Sequence, residues 1–194
     1  VTGMPFVRIV GNAGLSFMSK LSSGYWDLFD PTNGFTALEA RVAAQLDFSV
    51  IHKRWFFETD LLFRLGLLRA RVIELPIQAV YADESSNLSE VHALVTFPGL
   101  HLRNLLKRVF YNYFLRNFSI ATLNGMMGLI LLAGGTAFGA WHWGRSLVTG
   151  DASTSGTVML AALPVIVGLQ LLLQALSYDI GAVPTRPIHP GLHE

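Results

Sequence analysis

Two long stretches without formal charge constrain this chain more than any other feature. From Phe118 to Trp143, and again from Ala152 to Tyr178, there is no Asp, Glu, Lys or Arg. Each run exceeds the roughly 20 residues that an α-helix needs to cross a bilayer. The link between them, Gly144 to Asp151, is short, so the two spans are expected to form an antiparallel hairpin with both flanks on one side of the membrane. Arg103, Lys107, Arg108 and Arg116 crowd the approach to the first span, whereas the hairpin loop holds only Arg145 against Asp151. The positive-inside bias then places both flanks and both termini in the cytoplasm, as expected of a multi-pass protein of the cytoplasmic (inner) membrane.

Composition agrees with this division. Hydrophobic residues make up 52% of the 194 and charged residues 14%, more apolar than an ordinary soluble domain, and the excess lies in the two spans. Residues 1–97 mix polar and apolar side chains and read as a water-facing part, with a tail over residues 181–194. A net charge of +1 argues against electrostatic attraction to nucleic acid. The absence of cysteine removes disulfides, thiolate nucleophiles and cysteine-ligated zinc from consideration. His52, His92 and His101 lack metal-site spacing and acidic neighbours, so surface or interfacial positions are expected and no metal site is assigned. The chain opens on Val1 with its first Met at position 4, as expected for a fragment.

Within residues 1–97, Arg8 to Leu21 has helical periodicity, and Arg8, Asn12, Ser16 and Lys20, spaced by four, fall along one slowly turning face. The pairs Asp30-Pro31 and Asn33-Gly34 predict a turn. Short helices are predicted over Phe35 to Leu46 and Phe57 to Leu68, the second with Glu58 and Asp60 in its first turn, where the helix dipole favours carboxylates. Arg71 to Tyr81 is rich in β-branched residues and predicts an extended segment that Pro76 confines to a sheet edge. Ala82 to Ser89 reads as a polar loop.

The segment 98–117 is predicted to be an amphipathic juxtamembrane helix. Leu102, Leu105, Leu106, Val109, Phe110, Tyr113 and Phe114 gather on one side, and Arg103, Asn104, Lys107, Arg108 and Asn112 lie largely on the other, which suits a helix in the headgroup plane. In the hairpin, residues 118–180, the spans are expected over about 118–143 and 153–178. Gly125, Gly128, Gly134, Gly135 and Gly139 offer small surfaces for close helix contact, including contact between copies of the chain. Asn124, Gln170 and Gln174 are placed to hydrogen-bond across the hairpin or to a neighbouring subunit. A transport pathway is disfavoured, because no Asp, Glu, Lys or Arg lies within either span.

Single residues carry competing readings. Lys20 suits a solvated helix face as well as any binding role. Asp30 suits an Asp-Pro turn, its carboxylate accepting backbone hydrogen bonds. Plain stabilisation of a helix N-terminus explains one of Glu58 and Asp60, and Arg64 suits an i,i+4 ion pair with Asp60.

In order and spacing, the segments Arg8 to Lys20, Asp30-Pro31-Thr32-Asn33-Gly34-Phe35, Phe56-Phe57-Glu58-Thr59-Asp60, Leu75-Pro76-Ile77 and Asp83 to Leu88 resemble the C-terminal half of the catalytic domain in family 2 glycosyltransferases of the dolichol-phosphate-mannose and polyprenyl-phosphate sugar type. The resemblance runs from about Met4 to Ile180 and includes the juxtamembrane helix and the paired spans. It implies an α/β fold, the C-terminal part of a Rossmann-like GT-A domain, followed by an interfacial helix and a transmembrane hairpin. It also implies inverting transfer of a sugar from a nucleotide-sugar donor to a polyprenyl phosphate. By the resemblance, Arg8, Lys20 and Asn12 would contact the acceptor phosphate, Asp30, Asp60 and Glu58 would line the catalytic cleft, and Arg103, Lys107, Arg108 and Arg116 would sit at the membrane surface. A phosphate nucleophile, largely ionised near pH 7, needs cations to hold it more than a strong base to activate it.

Two departures limit the likeness. The loop Asp83 to Leu88 has Asn87 where the family's mobile segment carries lysine, and it has no arginine. The chain has no Asp-x-Asp, the motif with which the family holds Mg²⁺ or Mn²⁺ against the donor diphosphate, so the donor half is expected outside this sequence. A non-catalytic membrane anchor or scaffold subunit is the alternative from a different class.

Overall fold

The computed structural model describes residues 6–76 and 90–191, which divide into two compact units. One comprises residues up to Asn112 together with those from Ala182 onward, and the other is Tyr113–Gly181. Among the described residues there is no strand, so the sheet of the expected α/β fold is not seen in them. Residues 71–76 are irregular, and the rest of the predicted extended segment and the polar loop at 82–89 lie outside the described residues.

In the first unit, α1 (Phe6–Ser23) ends where Gly24 takes a left-handed conformation, φ +86°, with its N–H donating to the Lys20 carbonyl at 2.8 Å. Glycine is needed there, because a Cβ would also meet Arg108 Nη1 at 2.8 Å. Only one turn of the predicted helix at 35–46 forms, α2 (Ala40–Ala44). Asn33 Oδ1 accepts from Phe35 N, which prolongs the turn, and Glu39 then starts the helix by accepting from Val42 N at 3.1 Å. The helix α3 (Phe57–Leu68) forms as predicted and packs closely on the end of α1. Gly66 permits this approach, since a Cβ there would lie 2.3 Å from the Ser23 carbonyl oxygen. The core gathers Tyr25, Leu28, Val42, Ile51, Leu61, Leu65 and Ala70. Tyr25 donates its hydroxyl to the Ala70 carbonyl, and burial holds that phenol well above its usual pKa range.

The helix α4 (Glu90–Val109) reaches further toward the N-terminus than predicted and runs into a π-helical turn over Phe110–Arg116. Its inward face is polar. His101, Asn104 and Arg108, at i, i+3 and i+7, are buried, while Val95, Leu102, Leu106 and Phe110 are exposed. Exposed Arg103 and Lys107 each follow one of those exposed leucines.

The second unit holds α5 (Ile120–Thr149) and α6 (Ser155–Gly181), both long and apolar enough to cross a membrane. They outlast the uncharged runs because a helix stops at a cap: at Gly150, φ +76°, whose N–H donates to the Ser146 carbonyl at 3.0 Å. Glycines set their packing. A Cβ on Gly168 would lie 2.7 Å from Leu132 N, one on Gly128 would lie 2.9 Å from Gly168 O, and one on Gly135 would lie 2.9 Å from Ala161 O. Gly139 also faces α6, whereas Gly125 and Gly134 meet nothing within 4 Å. Asn124 Nδ2 donates to Gln174 Oε1 at 3.2 Å across the pair, and the Tyr113 hydroxyl donates to the buried Asp179 carboxylate.

Candidate functional site

The turn around Asp30 is built by its own side chains. Asp30 Oδ1 accepts from Thr32 N at 3.2 Å and from Thr32 Oγ1 at 2.8 Å, closing an Asx turn. Glu74 holds the turn from outside, its two oxygens accepting from Phe29 N at 2.8 Å and Asp30 N at 2.9 Å. Asp30 is exposed, and Phe29 and Phe35 on either side of the turn are 88% and 86% exposed. Glu58, in the first turn of α3, reaches this place: a Cβ on Gly34 would lie 3.6 Å from Glu58 Oε1. Glu58 is thus brought beside Gly34 at the far end of the exposed Asp30 turn, and Glu74, a third carboxylate that sequence reasoning missed, holds the near end. Its signal, a lone Glu in an apolar segment, is too common to read.

Asp60 serves a different purpose. Its carboxylate is buried; Oδ2 accepts from His52 N at 2.8 Å and Arg64 Nε at 3.2 Å, and Oδ1 accepts from Asn104 Nδ2 at 3.0 Å. Arg64 also reaches the Val50 carbonyl through Nη2, at 2.5 Å. This network ties the 47–52 loop, α3 and α4 together, and both Asp60 oxygens are occupied by protein donors. The i,i+4 ion pair expected between Arg64 and Asp60 is present.

Arg108, expected at the membrane surface, is buried within the first unit. The α4 residue stands over the end of α1, where Nη2 donates to the Leu21 carbonyl at 2.8 Å. Arg103, Lys107 and Arg116 are exposed. Beside Arg108 on the inward face, His101 Nδ1 and Ser22 Oγ are 2.9 Å apart, and the ring stacks edge-on against Phe56 at 5.0 Å. Burial pushes this imidazole down to about 4, with a hydrogen bond to the Met18 backbone opposing the shift. The spacing of His101, Asn104 and Arg108 was the available signal for this face.

Lys20 lies partly exposed in the last turn of α1. Arg8 and Asn12 are on the same helix, and their side chains lie outside the described residues. Among the described residues no three His, Asp or Glu side chains come together to hold a metal ion. The donor-saturated Asp60 does not fit one, and Asp30 Oδ1 is already engaged by Thr32. Comparison with known proteins finds no matching family model, no matching curated protein and no matching solved structure.

Proposed function

We propose that this chain is the acceptor side and membrane anchor of a glycosyltransferase that moves a sugar from a nucleotide-sugar donor to a polyprenyl phosphate at the cytoplasmic membrane face. The observation that carries the reading is the juxtaposition of the exposed Asp30 turn with Glu58, in a unit whose α4 holds its polar face inward and an apolar stripe outward. That stripe, bordered by Arg103 and Lys107, suits a helix seated at headgroup depth, with leucines toward acyl chains and cations toward phosphates. In this reading Asp30 and Glu58 orient sugar or acceptor hydroxyls, and Arg8, Asn12 and Lys20 hold the acceptor phosphate by charge-assisted hydrogen bonds. In this reading the donor and its divalent ion are bound by a GT-A sheet outside this sequence.

The test is transfer of labelled sugar from nucleotide sugar to polyprenyl phosphate in membranes of cells that make the protein. Asp30→Asn and Arg8→Ala are each expected to cut transfer at least tenfold, the loss of about 1.4 kcal/mol of transition-state binding, with unchanged amounts of protein in the membrane. Wild-type rates in both variants would remove the site. The alternative, a non-catalytic anchor subunit, draws on Asp60: one of the three expected cleft carboxylates is a structural fastener. It predicts that neither variant changes transfer.

A further inference from the structure

Gln170 stands where a lipid-facing helix has no use for an amide. Gly168, the middle residue of α6, touches the backbone of α5 and so marks the inward face. Two residues on, Gln170 is turned by about 200° from it and lies about 3 Å from the helix midpoint. The residue is exposed and makes no hydrogen bond among the described residues, whereas Gln174 Oε1 accepts from Asn124 Nδ2. Its neighbours on that outward side, Met159, Leu163, Ile166 and Leu173, are all exposed and apolar. If α6 spans a bilayer, as the proposed function requires, an unsatisfied amide at its centre is costly, because hydrocarbon offers no partner.

We propose that α6 pairs with α6 of a second copy of this chain through the face that carries Gln170. Copies inserted with the same topology are related by a two-fold axis along the membrane normal, which puts identical residues at identical depth. A glutamine carries both donor and acceptor, so Gln170 satisfies its twin without any other polar residue. An unrelated helix would have to supply a polar group at that same depth. The seven-residue spacing of Gly156, Leu163, Gln170 and Ser177 places them on one stripe, the repeat of a left-handed helix pair, and small residues at two of the four positions permit close approach.

The cysteine-free chain makes the test direct. In lipid vesicles, Ser177→Cys is expected to cross-link two copies on oxidation, and Val165→Cys, whose side chain lies against Gly135, is expected not to. By fluorescence energy transfer between labelled copies, Gln170→Leu should weaken pairing about 3- to 30-fold, and Gln170→Asn should preserve most of it. A chain that resists alkaline extraction yet stays monomeric, equal pairing by Gln170→Leu and wild type, or equal cross-linking at 165 and 177 would each overturn the pairing and leave the membrane reading intact. Release of the chain by alkali would overturn both.

Discussion

Asp60 and Glu58 are two residues apart and answer to different forces. Removing the Asp60 carboxylate strands Asn104 Nδ2, His52 N and Arg64 Nε. Asp60→Ala is therefore expected to destabilise the first unit by about 2–4 kcal/mol. Faster amide hydrogen exchange across α3 and α4 would report it. Glu58→Gln, at a partly exposed position, should leave that exchange unchanged. His101 supplies a pH signature. Its folded pKa of about 4 lies below the ordinary 6.5, so the unfolded chain takes up the proton first as pH falls. The contribution is fully present above about 6.5 and is lost progressively down to about 4. His101→Phe should flatten the acid limb of an unfolding profile over that window, and an unchanged acid limb would show that this imidazole is not the group responsible.

At the scale of elements, caps and small residues decide more than hydrophobic periodicity does. The helix α3 ends on Arg69 in a left-handed conformation, φ +60°, with Ala70 N donating to Leu65 O at 3.0 Å. Glycine adopts that conformation without penalty, so Arg69→Gly should stabilise the first unit by about 0.5–1 kcal/mol in denaturant unfolding. In the hairpin, Gly168→Leu has no room against Leu132 N and Gly128 O, and Gly134→Ala meets open space. The first should separate α5 from α6, read as loss of energy transfer between labels on the two helices, and the second should leave it unchanged. The spans were legible because charge absence over more than 20 residues is unambiguous. The orientation of α4 was not, because its polar residues divide into a buried set that fastens it to α1 and α3 and an exposed set beside the leucines. Periodicity reports that the sides differ, and only the partners determine which side turns inward.

Over the whole molecule, legibility falls with the distance between cooperating residues. The Asp30 turn is local chemistry and formed from its own Asp, Thr and Asn. The hydrogen bonds from Glu74 and the approach of Glu58 to Gly34 join residues far apart in sequence, and no spacing rule announces them. Of the extended segment predicted over 71–81, the part at 71–76 has no strand partner among the described residues, since β-propensity expresses itself only against a neighbouring strand. The proposed function requires the first unit to recognise a phosphate at the membrane surface. The most direct measurement is binding of polyprenyl phosphate and of the matching polyprenol to the chain in lipid nanodiscs, by native mass spectrometry. Tighter binding of the phosphate, weakened about tenfold by Arg8→Ala, is the predicted result. Equal binding of phosphate and alcohol would contradict it.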